Sequence, residues 1–182
     1  AAAALPIAYT SARGGIVGRF AEKAVYFGYA LPGVVLGLAL VFFGAPTRLY
    51  QTIPLLVFGY IVRFLPESVG ITRASFVQFD ERLAEASRTL GSSPRKTFLR
   101  VMLPLVTPGI VAGAALVFLT TMKELPVTLF LRPAGFETLV TQVWSAYEEG
   151  FFGQAAVPAL ILVGISALSM LVILSMEKYE VG

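Results

Sequence analysis

Residues 79–109 read FDERLAEASRTLGSSPRKTFLRVMLPLVTPG. By local stereochemistry this is two helices joined by a tight corner. Asp80 is a good N-cap, and Glu81 falls in the first turn, where the helix dipole favours a carboxylate. Leu83, Ala86, Ser87 and Leu90 recur at three- and four-residue steps and make one narrow face of small and apolar side chains, with Arg82 and Arg88 off it. Gly91 follows, a residue free to take positive φ just past a helix end. Ser93 then caps a second helix with Pro94 at its first position. In that helix Phe98, Val101 and Leu105 are the expected inward stripe. Arg95, Lys96 and Arg100 gather at its polar end, where anionic lipid headgroups would hold them.

Four apolar runs surround this corner, over residues 26–43, 49–65, 101–122 and 150–176. The first, third and fourth have the length a membrane helix needs, about 20 residues. The second is short, and Arg63 is expected to snorkel from its end. Lipid offers no hydrogen-bond partners to an open backbone, so all four are expected to be helical. Odd-numbered loops hold Arg13, Arg19 and Lys23, then Arg63, Arg73, Arg82, Arg88, Arg95, Lys96 and Arg100, then Lys178; even-numbered loops hold Arg48, Lys123 and Arg132. That imbalance of basic residues puts the loop over 66–100 in the cytoplasm. The opening run of alanines, with no Met and no basic stretch, reads as the inner, cut end of a longer helix, and the chain as a fragment of a larger polypeptide.

Composition agrees with a membrane protein. The 182 residues are 57% apolar and 14% charged, with mean hydropathy +0.79, against about 45–50% and 25% in soluble domains. So little charge excludes disorder, and a net +3 is too weak to suggest nucleic acid. With no Cys and no His, disulfides, thiolate nucleophiles, Cys/His zinc sites and His-based triads are excluded. Glu124, Glu137, Glu148 and Glu149 are scattered without ligand spacing, so no metal and no cofactor is expected. Residues 91–97, GSSPRKT, resemble a phosphate loop only superficially: the second Gly is missing, Pro94 removes an N–H, and no strand precedes.

Pro32, Pro54, Pro104, Pro108, Pro126 and Pro158 lie in or beside the runs and can kink them. Gly33-x3-Gly37 and Gly109-x3-Gly113 fit small-residue packing faces. Residues 136–147 carry Phe136, Leu139/Val140, Val143/Trp144 and Tyr147 at helical spacing, an amphipathic helix suited to the outer interface. Lys123 and Glu124 end the third run on the outer side. They are either interfacial charges or, with Pro126 and Arg132, an outer gate.

Glu85-Ala86-Ser87, three residues, Gly91, nine residues, Val101, one residue, Leu103-Pro104 closely resembles the EAA loop of binding-protein-dependent ABC importer permeases, E-A-A-x3-G-x9-I-x-L-P. Ser87 stands for the second Ala and Val101 for Ile. Three further segments, YALPG from Tyr29, YIVRFLP from Tyr60 and KELPVTL from Lys123, with Leu131-Arg132-Pro133, are similar to the C-terminal half of the ferric-iron branch. The resemblance implies an all-α polytopic helical bundle, the type I importer transmembrane fold, in a bacterial inner membrane. It implies a transport subunit rather than an enzyme, coupled through Glu85, Ala86, Ser87, Gly91, Val101, Leu103 and Pro104 to a cytoplasmic ATPase dimer. It further implies a periplasmic or lipoprotein binding protein and a second permease half as partners. Ferric iron is the implied substrate, with polyamines, phosphonates, sulfate or thiamine as alternatives. For Glu85 the plainer reading is a helix charge paired with Arg82 or Arg88. Two other classes fare worse. An intramembrane enzyme needs paired ionisable groups at membrane depth, and the four runs hold no Asp, Glu, His or Lys between their ends. A secondary transporter is permitted by the prolines but not suggested by the EAA spacing.

Overall fold

The computed structural model describes residues 3–12 and 16–180, with the side chains of 17, 19 and 172–180 set apart; Arg13 and the side chains of Arg19 and Lys178, counted above among the basic loop residues, lie outside the described residues. Among the described residues the chain is all helix, without a strand. In order come α1 (Ala4–Ala12), α2 (Ile16–Ala30), α3 (Gly33–Gly44), α4 (Ile53–Gln78), α5 (Glu81–Thr89), α6 (Pro94–Thr97), a π-helical turn (Phe98–Met102), α7 (Leu103–Met122), α8 (Pro126–Leu131), α9 (Leu139–Glu148) and α10 (Phe152–Glu180).

Three of the four expected spans differ in extent. The first is not one helix: α2 stops before Leu31-Pro32, and α3 leaves at 102° to the preceding segment. Pro32 lacks the N–H the helix would need and biases Leu31 away from helical backbone. The second is only the first half of α4, which continues to Gln78. Arg63 is therefore not at a helix end, and the loop expected from residue 66 begins at Phe79. Pro66 is tolerated inside α4; the Val62 carbonyl it leaves without a donor is approached closely by Gly28. The third begins at Pro94, where α6, the π turn and α7 form one apolar rod of 29 residues.

The π turn adds a residue to the helical repeat and slips the inner face. Thr97, Met102 and Val106 are buried, whereas Leu105 of the expected stripe is 56% exposed. Phe98 and Val101 are half-buried.

Two cores sit at opposite ends of α4. At the α5 end, Ala8, Phe76, Met102 and Val106 pack α1, α4 and α7 together, with Phe98 and Ile110 against them. At the far end Leu36, Leu40, Leu55, Leu56, Val127 and Leu131 join α3, α4 and α8. Both glycine pairs lie at close crossings. A Cβ at Gly109 would overlap the Ser75 hydroxyl and one at Gly113 would sit 3.4 Å from Ile71, so these glycines set the α4–α7 approach. Gly33 and Gly37 face Pro126 and Phe130 and set the α3–α8 approach. The interfacial helix starts at Leu139 rather than Phe136, because Thr138 forms a capping box with Thr141. It packs along α10.

Candidate functional site

The corner is built as local stereochemistry dictates. Asp80 Oδ1 accepts the Arg82 N–H at 3.0 Å and starts α5. At the other end the Gly91 N–H donates to the Arg88 carbonyl at 2.9 Å and the Ser92 N–H to the Ser87 carbonyl at 3.1 Å. Gly91 has φ +85°, and nothing lies within 4 Å of where its Cβ would be. Its requirement is thus one of backbone angle and not of space. Ser93 Oγ accepts the Lys96 N–H and opens α6. Ser87, one of the two departures from the EAA pattern, has a use: its hydroxyl meets that of buried Thr97 at 3.1 Å and ties α5 to the next helix.

The expected apolar face of α5 points outward. Ala84 is the one buried residue of α5, while Leu83 is 47% and Leu90 87% exposed with Ala86 exposed beside them, and Glu85 is exposed on the opposite face. Glu85 joins neither Arg82 nor Arg88 in an ion pair among the described residues. Val101 and Leu103 are half-buried and Pro104 is exposed on the following rod. The corner thus presents a short helix with one face of uncovered apolar side chains and, on the opposite face, the Glu85 carboxylate, on a base held by hydrogen bonds.

A second site lies near the middle of α4. Arg63 stands ten positions after Ile53, about 15 Å along the helix. Its guanidinium Nη1 donates to the Leu31 carbonyl at 2.9 Å and to the Tyr29 carbonyl at 3.3 Å, where α2 breaks. It also lies 5.6 Å from the Tyr29 ring and 4.0 Å from Glu124 Oε2. Glu124 is 9% exposed. Its Oε1 accepts the Val127 N–H at 3.1 Å, in the first turn of α8. The Thr128 hydroxyl donates to the Glu124 carbonyl at 2.5 Å and meets the Tyr60 hydroxyl at 2.6 Å. The three short segments starting at Tyr29, Tyr60 and Lys123 therefore meet at one point.

The expected gate residues separate here. Glu124 and Pro126 come together against Gly33. Lys123 turns instead to an apolar groove between α9 and α10, beside Val140, Val143 and Leu162. Arg132 reaches the Phe136 carbonyl at 3.5 Å and braces the following turn. Glu124 is thus a buried carboxylate beside mid-α4. Arg63, Tyr60 and Tyr29 escape sequence reasoning as site residues, since a lone charge closing a short apolar run reads as a helix end. Glu67 is a further correction. It lies inside α4 and accepts from the Thr120 hydroxyl at 2.8 Å, so the spans do hold a carboxylate. Near the α5 end Arg73 pairs with Glu22 at 3.4 Å, and Ser11 bonds to both. Among the described residues no three acidic side chains gather as a metal site would require.

Residues 4–179 match the family described as binding-protein-dependent transport system inner membrane component. An Fe(3+)-transport system permease protein of Haemophilus influenzae is 33% identical over 160 residues, 87% of this chain and 31% of that protein. A probable molybdenum ABC transporter permease protein of Haloferax volcanii is 33% identical over 178 residues, 93% of this chain and 66% of that protein. A spermidine/putrescine transport system permease protein of Escherichia coli is 39% identical over 77 residues, 42% of this chain and 28% of that protein. The chain spans about a third of the length of the Fe(3+) relative, and these relatives are transport subunits, not enzymes. With the match running along nearly the whole of an apolar, all-helical chain, the protein belongs to the family of binding-protein-dependent transport system inner membrane components.

Proposed function

We propose that this chain is a path-forming part of an ATP-driven importer and that α5 is the element through which a separate cytoplasmic ATPase drives it. One observation carries the reading: α5 leaves Leu83, Ala86 and Leu90 exposed on one face and Glu85 exposed on another, on a base fixed by Gly91 and by the Ser87–Thr97 hydrogen bond. An exposed apolar helix face suits a groove on a partner protein. Their arrangement follows the EAA spacing. With the α5 end in the cytoplasm, a binding protein would deliver solute at the far end, and a second permease half would complete the path. Without Arg63 and Arg73, both inside α4, the basic residues still divide nine to three in favour of that orientation.

Ferric iron is the first substrate to test, because the segments beginning at Tyr29, Tyr60 and Lys123 follow the ferric branch and an Fe(3+) permease is among the relatives. Molybdenum and polyamine permeases are relatives as well, which makes an oxyanion or a polyamine the second reading. The test is reconstitution of the complete permease with its co-encoded ATPase and binding protein in vesicles. ATP hydrolysis and uptake should both rise with ferric ion and not with molybdate or spermidine. Stimulation by molybdate or spermidine alone would replace iron, and the absence of any stable ATPase complex would remove the importer reading.

A further inference from the structure

We propose that Arg63 and Glu124 are positioning residues that splice two helix ends together, with the sign of each charge fixed by the helix end it serves. A broken helix leaves carbonyls without donors at one side of the break and N–H groups without acceptors at the other. Arg63 supplies donors to the carbonyl end of α2, at Leu31 and Tyr29. Glu124 supplies an acceptor to the amide end of α8, at Val127. A cation suits the first end and an anion the second. The two charges then face each other at 4.0 Å, so the order along the junction is carbonyl end, Arg63, Glu124, amide end, alternating in sign throughout. Each charge lies closer to its helix end than to the other charge. Away from water, such groups need partners on every side. Side-chain exposures of 24% and 10% leave little solvent to do this work.

The splice sits where α3, α4 and α8 converge, at the edge of the core formed by Leu36, Leu56, Val127 and Leu131. It holds the two corners, Leu31-Pro32 and Leu125-Pro126, in register. A plain ion pair would not care which partner carries which sign. This arrangement does.

That difference supplies the test, and it does not depend on the substrate. The sequence has no cysteine, so in the complete permease, stripped of any cysteine elsewhere, paired cysteines can report each core. Gly37→Cys with Phe130→Cys reads the α3–α8 register, since a Cβ at Gly37 would lie 3.2 Å from that of Phe130. Gly113→Cys with Ile71→Cys reads the α4–α7 register at 3.4 Å. Arg63→Gln and Glu124→Gln keep a donor or an acceptor but lose the charge, and each should lower the rate of 37–130 disulfide formation several-fold. The exchange Arg63→Glu with Glu124→Arg should lower it further than either, by tenfold or more, with the 71–113 disulfide unchanged in all. Recovery of the wild-type rate in the exchange variant would show a simple ion pair and overturn the proposal. Equal loss of both disulfides would overturn it too, by showing that the pair supports the whole bundle and not this junction.

Discussion

At the α5 end of α4, glycines draw two helices together and a short helix stands in the open with its apolar side chains uncovered. At the far end buried polar groups join two broken helices: Glu124 caps α8 beside Arg63, and Tyr60 meets Thr128. The corner within the first region is ordered by terms that act within a few residues, an N-cap, a positive φ and a proline at a helix start. The second depends on partners far away in sequence: Arg63 bonds a carbonyl thirty-two positions earlier. A corner held locally can be displaced as a unit without unravelling its neighbours. A junction held by distant partners ties its segments to one another. That division suits a molecule that takes up a push at one end and keeps a shaped path at the other.

The largest effect is expected at the α4–α7 crossing near the α5 end. Gly109→Leu drives a side chain into Ser75. The variant should lose the α4–α7 packing altogether and be recovered only as protease-sensitive chain. Recovery at wild-type level with an unchanged melting temperature would mean that the crossing is not needed. Leu131→Ala comes next. This side chain is fully buried in the far core, and its truncation should cost about 2–5 kcal/mol through the cavity left behind. Thermal unfolding in detergent should report that loss, while co-purification of the ATPase stays as before; loss of the ATPase as well would mean that the two regions are not separable. Asp80→Ala acts on the corner alone. Removing the cap of α5 should cost about 1 kcal/mol, seen as roughly fivefold weaker ATPase binding with the melting temperature unmoved. Smallest is Tyr60→Phe, which deletes the 2.6 Å contact to Thr128. A cost of about 0.6 kcal/mol in unfolding is expected, with ATPase binding unaffected.

The same division governs what can be read from the residues. Asp80, Gly91, Ser93 and Pro94 act on their own neighbours, and each stands where its chemistry suggests. Gly33-x3-Gly37 and Gly109-x3-Gly113 mark close crossings for the same kind of reason, since absence of a side chain is visible without knowing the partner. Arg63 misleads because a charge in an apolar run signals a helix end when its partners are unknown. Here the Leu31 carbonyl and Glu124 keep it inside α4. Glu124 misleads in the same way. The slipped face of the rod after Pro94 has no signal at all, since a π turn is a matter of how Thr97, Met102 and Val106 fit the core rather than of residue type. On α5 the stripe of Leu83, Ala86 and Leu90 is visible, but periodicity does not say whether such a face meets the chain's own core or another protein.

In the function proposed above, Gly91 sets the angle at which α5 meets the ATPase. Gly91→Val tests it most directly. At φ +85° a β-branched residue is strained, by at least the roughly 1–2 kcal/mol that a Cβ adds in left-handed backbone, although no neighbour obstructs it. The corner should reopen at another angle while the spans stay intact. With Gly91→Asn as the control, because Asn tolerates this conformation better, the paired measurement is ATPase co-purification and substrate uptake in vesicles at matched expression. The expected result is that Gly91→Val inserts normally but loses both, and that Gly91→Asn keeps most of both. Full uptake by Gly91→Val would show that the angle of this corner does not matter for transport.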